Sequence, residues 1–223
     1  MAKAGEISNA DYRGSEPDRR DVLRIGATGL VGASFFGAGS WWLYDRESRL
    51  EKTKEVGIVR NYSVPDDTRY PEVVNIGGSD PFQTASRAVE LLGGMSRFIE
   101  RGDTVAIKPN IGWDRVPKHA ANTNPELVAA LVELCYKAGA SQVLVTDASC
   151  NDANRAYNKS GIGLAAYNAK ARVVLPRQDR FRDMAIDGRL LKRWPVYTPL
   201  LTADKFINVA ICKHHNLTAY TGV

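Results

Sequence analysis

The sequence predicts an α/β domain over residues 56–223. It should be a mainly parallel sheet with helices on both faces, preceded by a polar N-terminal tail and an apolar signal or anchor helix. Three observations carry this expectation. Short runs rich in Val and Ile alternate with segments of helical periodicity, the order of a parallel sheet covered by helices. Capping signals stand ahead of the two clearest helical patterns. Three of the β-like runs also stop in polar groups, as strands do at the carboxyl edge of an open parallel sheet.

Residues 1–24 are polar and end in Arg19-Arg20 shortly before an uncharged stretch, 25–44. Gly26, Gly29, Gly32, Gly37 and Gly39 make that stretch less apolar than a Leu-rich membrane span. Paired arginines before a weak apolar segment resemble a bacterial twin-arginine signal, an address read on folded proteins by the twin-arginine translocase. Val22 stands where that signal often has phenylalanine. No A-x-A cleavage site follows, and Trp41, Trp42 and Tyr44 suit a membrane interface, so cleavage and retention as an N-terminal anchor both stay open. The expected location is therefore the periplasm or the outer face of the cytoplasmic membrane, with 45–55 as a linker.

Residues 56–60 read as a first strand and 60–70, rich in Pro and Asp, as a loop. Asp80-Pro81-Phe82-Gln83 predicts a capped helix whose apolar face carries Ala85, Ala88, Val89, Leu92, Met95 and Ile99. Gly93-Gly94 should kink or end it, since each glycine costs roughly 1 kcal/mol against alanine inside a helix. Residues 104–110 form a strand candidate. Thr123-Asn124-Pro125-Glu126 has capping-box spacing, opening a helix with Leu127, Leu131, Leu134 and Ala138 on one face and Gly139 past its end. Residues 142–148 read as a buried strand, 161–170 as a short helix, 171–176 as a strand and 206–213 as the last strand.

Lys and Arg outnumber Asp and Glu by 30 to 25, a formal charge of +5. That favours anionic partners without the basic stripe of a nucleic-acid binder. Cys135, Cys150 and Cys212 lie far apart with no CxxC pair, so the chain carries neither a zinc ribbon nor an iron–sulfur motif.

The chemistry collects at the strand ends. Lys108 and Asn110 close the first polar stop, Asp147 and Asn151 the second, and Lys213, His214 and His215 the third. An ammonium on the last residues of an apolar strand needs an anion to offset its desolvation, and two such lysines point to one convergent site. A solvated edge with snorkelling lysines is the ordinary alternative, as a turn or N-cap role is for Asp147 and turn chemistry is for Asn110 and Asn151. Cys150 is the thiol best placed for reactivity. Neighbouring histidines on a strand point to opposite faces, so His214 and His215 do not readily share a metal ion. His119 lies in the loop after Asn110, where a solvated histidine is common. Asn122 and Thr123, at the capped helix start, add donors for an anion, although no G-x-x-x-x-G-K-[ST] or G-x-G-x-x-G run is present.

Five segments together resemble the bacterial domain-of-unknown-function family 362: VAIKPN at 105–110, NTNP at 122–125, VTDASCN at 145–151, Ser160-Gly161-Ile162, and KHHNLT at 213–218. The resemblance implies an α/β domain with its motifs at one edge and no established reaction. It also implies an association with iron–sulfur proteins, whose cysteine clusters this chain lacks, so the cofactor is left unassigned. In that family the KHHxLT segment is followed by further sequence, and the chain is accordingly expected to be truncated at its C-terminus.

The expected function is an exported enzyme, with a redox association as an offshoot, that handles a small anionic ligand. Lys108, Asn110, Asn122, Thr123, Asn151, Lys213 and His215 would bind it, and Asp147 and His214 would transfer protons. The rival is a non-catalytic ligand-binding or assembly protein at the outer face of the membrane. No nucleic-acid partner is expected.

Overall fold

The computed structural model describes residues 57–186 and 188–222. Arg19, Arg20, the apolar stretch 25–44 and the 45–55 linker lie outside the described residues. Among the described residues no helix is long and apolar enough to cross a membrane.

The central element is a four-stranded, all-parallel sheet in the order β4-β3-β2-β7, formed by Arg172–Val173, Gln142–Val145, Thr104–Pro109 and Lys205–Val209. Val105 pairs with Val143 and Ile107 with Val145, and all four side chains are fully buried. Each contributes about 1.5–3 kcal/mol of burial, an upper figure. They face α2 (Pro125–Lys137), which brings Val128, Leu131, Val132 and Cys135 into the same core. Two short helices complete this layer: α3 (Ala153–Lys159) with Ala156 and Tyr157, and α4 (Ile162–Asn168) with Ile162 and Ala166.

Helix α1 (Pro81–Leu91) starts as the sequence predicts, with the Asp80 carboxylate accepting the Gln83 N–H and Pro81 at the first turn. It stops before Gly93 and Gly94, whose φ values of 103° and 81° suit glycine, and one 3-10 turn, Met95–Arg97, follows. Val89 and Met95 from this segment join the core beside α2.

Among the described residues the two faces of the sheet are covered unequally, where the sequence leads one to expect helices on both. Helices α1 to α4 all pack into the core on the Val105 face. The opposite face carries Ala106, Leu144 and Phe206, aligned across three strands. Loop residue Tyr62 covers part of it: its ring lies 5.9 Å from that of Phe206, and its hydroxyl donates to the carbonyls of Leu200 and Ala203. The helix there is α5, the four residues Thr198–Leu201. Four residues give one turn, too short to bury a sheet face.

A second, three-stranded sheet has the order β1-β5-β6, where β1 is Gly57–Ile58, β5 Phe181–Ala185 and β6 Arg193–Tyr197. β1 runs parallel to β5, and β6 runs antiparallel to it. The strand expected over 206–213 is corrected. β7 ends at Val209, opposite Pro109, because its partner β2 ends there and Pro109 has no N–H to extend the ladder. The chain then leaves the sheet and forms an antiparallel hairpin of β8 (Lys213–His215) and β9 (Ala219–Thr221).

Candidate functional site

The parallel register brings the carboxyl ends of β2, β3 and β7 to one edge. On β2 the strand alternation that buries Ile107 among the helices turns Lys108 to the other side. The Lys108 ammonium lies 3.0 Å from Asp147 Oδ1. Asp147, just past β3, is buried, and its Oδ2 accepts the Ile111 N–H at 2.7 Å. One oxygen therefore meets a cation and the other a backbone amide. Lys108 keeps 37% of its side-chain surface in solvent, room for a second anionic partner.

Lys213 reaches the same edge from β8. Its ammonium donates to Asn110 Oδ1 at 3.0 Å and to the carbonyl of Ala121. Both acceptors are neutral, and among the described residues no carboxylate lies in ion-pair contact with it. Burial pulls the Lys213 pKa below the ordinary 10.5, opposed by the charges of Cys150 and Asp147. Lys108, Asn110, Asp147 and Lys213 thus border one place. Cys150 is beside them: it is exposed, its N–H donates to the Gly112 carbonyl at 3.0 Å, and a Cβ at Gly112 would lie 3.7 Å from its sulfur.

The other expected ligand residues are occupied in holding the rim. Asn122 accepts the Trp113 N–H at 3.0 Å and donates to the Trp113 carbonyl at 2.7 Å, closing the loop after β2. Thr123 does not cap α2. Its hydroxyl accepts the Asn110 N–H at 2.8 Å and donates to the Val209 carbonyl at 2.7 Å, tying the ends of β2 and β7 together. The N-cap is Asn124, whose Oδ1 accepts from Glu126 and Leu127, so the capping-box reading is corrected. Asn151 Oδ1 accepts the Asp114 N–H at 3.1 Å.

His214 and His215 also depart from expectation. Alternation along β8 puts His214 on the side opposite Lys213, exposed, and the described hydrogen bonds do not link it to Asp147 or Lys108. His215 Nδ1 accepts the N–H groups of Leu217 and Thr218 and so closes the hairpin turn. His119 sits in an exposed 3-10 turn.

Two structural contributors escape a reading by strand ends. Tyr157 accepts the Asp147 N–H at 2.7 Å and donates to the Asp147 carbonyl at 3.0 Å, and burial pushes its hydroxyl up to about 12. It holds the turn that presents the carboxylate. Asp114, only 13% exposed, pairs with Arg115 at 2.6 Å and with Arg155 and Lys159 at 3.8 Å each. Three cations around one carboxylate leave this part of the rim positive. The Arg155 and Lys159 spacing of four residues on α3 is the signal that could have marked it.

Among the described residues no three His, Cys, Asp or Glu side chains gather as a metal-ligand set. The cysteines do not fit an iron–sulfur cluster. Cys135 is buried in the core, where burial raises its pKa to about 12, and two exposed thiols fall short of the four ligands a cluster needs.

A protein-family profile described as Domain of unknown function (DUF362) matches residues 105–223. The chain is also 29% identical over 136 residues to the thylakoid-associated protein sll1697 of Synechocystis sp.. That alignment covers 60% of this chain and 41% of the relative, so the chain spans less than half the length of the curated relative it matches. No solved structure matches it significantly.

Proposed function

We propose, from the premise that the chain belongs to the DUF362 family, that its sheet edge binds a small carboxylate- or phosphate-bearing ligand between Lys108 and Lys213. One observation carries this reading. Lys213 is a part-buried ammonium held by two neutral acceptors, with its pKa depressed by burial. A ligand anion would supply the missing countercharge. Lys108, half open beside Asp147, would add a second cation without releasing its own partner. Asn110 would orient the ligand through its amide.

In the enzymatic form of this proposal Asp147 takes or returns a proton as the ligand reacts, and Lys108, paired with it at 3.0 Å, holds the carboxylate in place. A second form is favoured by the occupancy of the carboxylate, since Oδ1 and Oδ2 each already have a donor. There Asp147 only positions Lys108 and the site binds without turnover. His214 has no part in either form.

Calorimetric titration of the full chain with inorganic phosphate and with citrate tests the site. Lys213→Met should weaken binding by at least about tenfold, the loss of one charge-assisted contact. Unchanged affinity for both anions would overturn the reading. Asp147→Asn separates the two forms: preserved binding with turnover abolished supports catalysis.

We further propose that Arg19 and Arg20 address the protein to the twin-arginine translocase, placing the domain in the periplasm or at the outer face of the cytoplasmic membrane. The support is the arginine pair ahead of the Gly-rich stretch 25–44. Replacing both arginines by lysine should stop translocation in an exporting host, and continued export would refute the assignment.

A further inference from the structure

We propose that the tip of the β5–β6 hairpin is a docking surface for an anionic lipid bilayer, distinct from the sheet-edge site. The two strands project a tip closed by the Ile186 N–H on the Lys192 carbonyl at 3.2 Å. Leu190 is 86% exposed there, Leu191 51%, and Trp194, at the start of β6, 52%. None of the three belongs to the hydrophobic core. Large apolar side chains standing together in solvent at a protruding tip mark a surface that is covered in use.

The neighbouring residues say by what. Arg189, Lys192 and Arg193 alternate with the apolar residues, and all three are exposed. Within the described residues none of them is in an ion pair. The sequence 187–194 holds these three cations against one carboxylate, that of Asp187, a net charge of 3 − 1 = +2. An apolar groove on a folded partner would have to bury cations to reach the leucines. A bilayer with anionic headgroups accepts both kinds of side chain at their own depths. The leucines enter the acyl boundary, Trp194 lies at the interface, and the cations meet phosphates.

The 223-residue chain also contains the stretch 25–44, so bulk vesicle binding does not isolate the hairpin. Tryptophan quenching by vesicles of brominated phosphatidylcholine with or without brominated phosphatidylglycerol does. The difference between the wild type and Trp194→Phe reports position 194 alone, free of Trp41, Trp42 and Trp113. Quenching of that difference signal is expected with phosphatidylglycerol present. The combined variant Arg189→Gln, Lys192→Gln and Arg193→Gln should raise the lipid concentration for half quenching on the order of 100-fold. These positions are solvent-exposed, and an unchanged near-ultraviolet dichroism spectrum verifies the fold. A Trp194 signal indifferent to lipid, or equally quenched by phosphatidylcholine alone, would overturn the proposal. So would self-association in lipid-free buffer that Leu190→Ser with Leu191→Ser abolishes, since a second copy would then be the occupant.

Discussion

Lys213 holds its charge at a cost in solvation, and that cost has a pH signature. Its pKa in the folded chain is depressed by burial, so between that value and 10.5 the unfolded chain binds the extra proton. Stability contributed by this group therefore rises with pH across that window, and the burial cost of the ammonium is felt in full below it. Replacing Lys213 with Met removes the cost, so any stability gained over the wild type should shrink as the buffer is taken from pH 7 toward 10.5 in parallel urea titrations. Anion affinity has the opposite slope. It depends on the charged form and falls as pH rises through the depressed value, earlier than an ordinary lysine would dictate, whereas Lys213→Arg should hold affinity flat over the same range. Lys108 and Asp147 stand where apolar runs stop and are legible in sequence for that reason, whereas Lys213 reaches the same edge from a separate hairpin, past the end of β7 at Val209. Asn122, Thr123 and Asn151 hold backbone groups of the rim, a role not legible in sequence, because an amide or hydroxyl there looks the same whether it faces a ligand or a backbone group. His214 was misplaced by an error of strand length: with 206–213 read as continuous, the histidines fell at the sheet edge and not within a separate hairpin.

Elements with strong local signals were legible. The α2 helix, with its Leu and Val face and Gly139 beyond its end, appears within a residue or two of expectation. Its N-cap is displaced by one position, because Thr123 is drawn off to bridge Asn110 and Val209 and Asn124 takes the role. Asn124→Ala should accordingly lower stability by about 1 kcal/mol, the usual cost of a lost N-cap, and Glu126→Gln should cost much less, both read by urea denaturation. Helix α3 went unread since Ala153–Lys159 offers only Ala156 and Tyr157 as buried positions, too few for a period to show. Strands β5 and β6 were equally silent: Phe181–Ala185 and Arg193–Tyr197 are interrupted by Arg182, Asp183 and Pro195, and they pair across a tip that no turn dipeptide of the Asn-Gly kind announces.

At the largest scale, the long helices among the described residues lie on one side of the sheet, and the other side has loops and the four-residue α5. The parallel class followed from alternation along the chain, but the side on which each helix lies is set by crossover geometry and packing, which local patterns do not encode. The same arrangement sets a hierarchy of opening. β2 and β3 are paired on both sides and their core-facing residues are fully buried, whereas among the described residues β8 pairs only with β9 and meets the sheet edge through Lys213. Native-state hydrogen exchange should find the amides of 105–107 and 143–145 slowest and those of 213–221 fast. Lys213→Met should speed exchange in the hairpin alone.

The oxygen of Thr123 belongs at once to the end of one strand and the end of its neighbour. β2 and β7 already stand at ladder spacing as far as Pro109 and Val209, so a clasp of this kind carries their closure one step past the last rung and steadies the loops that leave it. Serine would keep the clasp shut and valine would spring it, so whether the two loops stay joined where the ladder stops rests on a single atom.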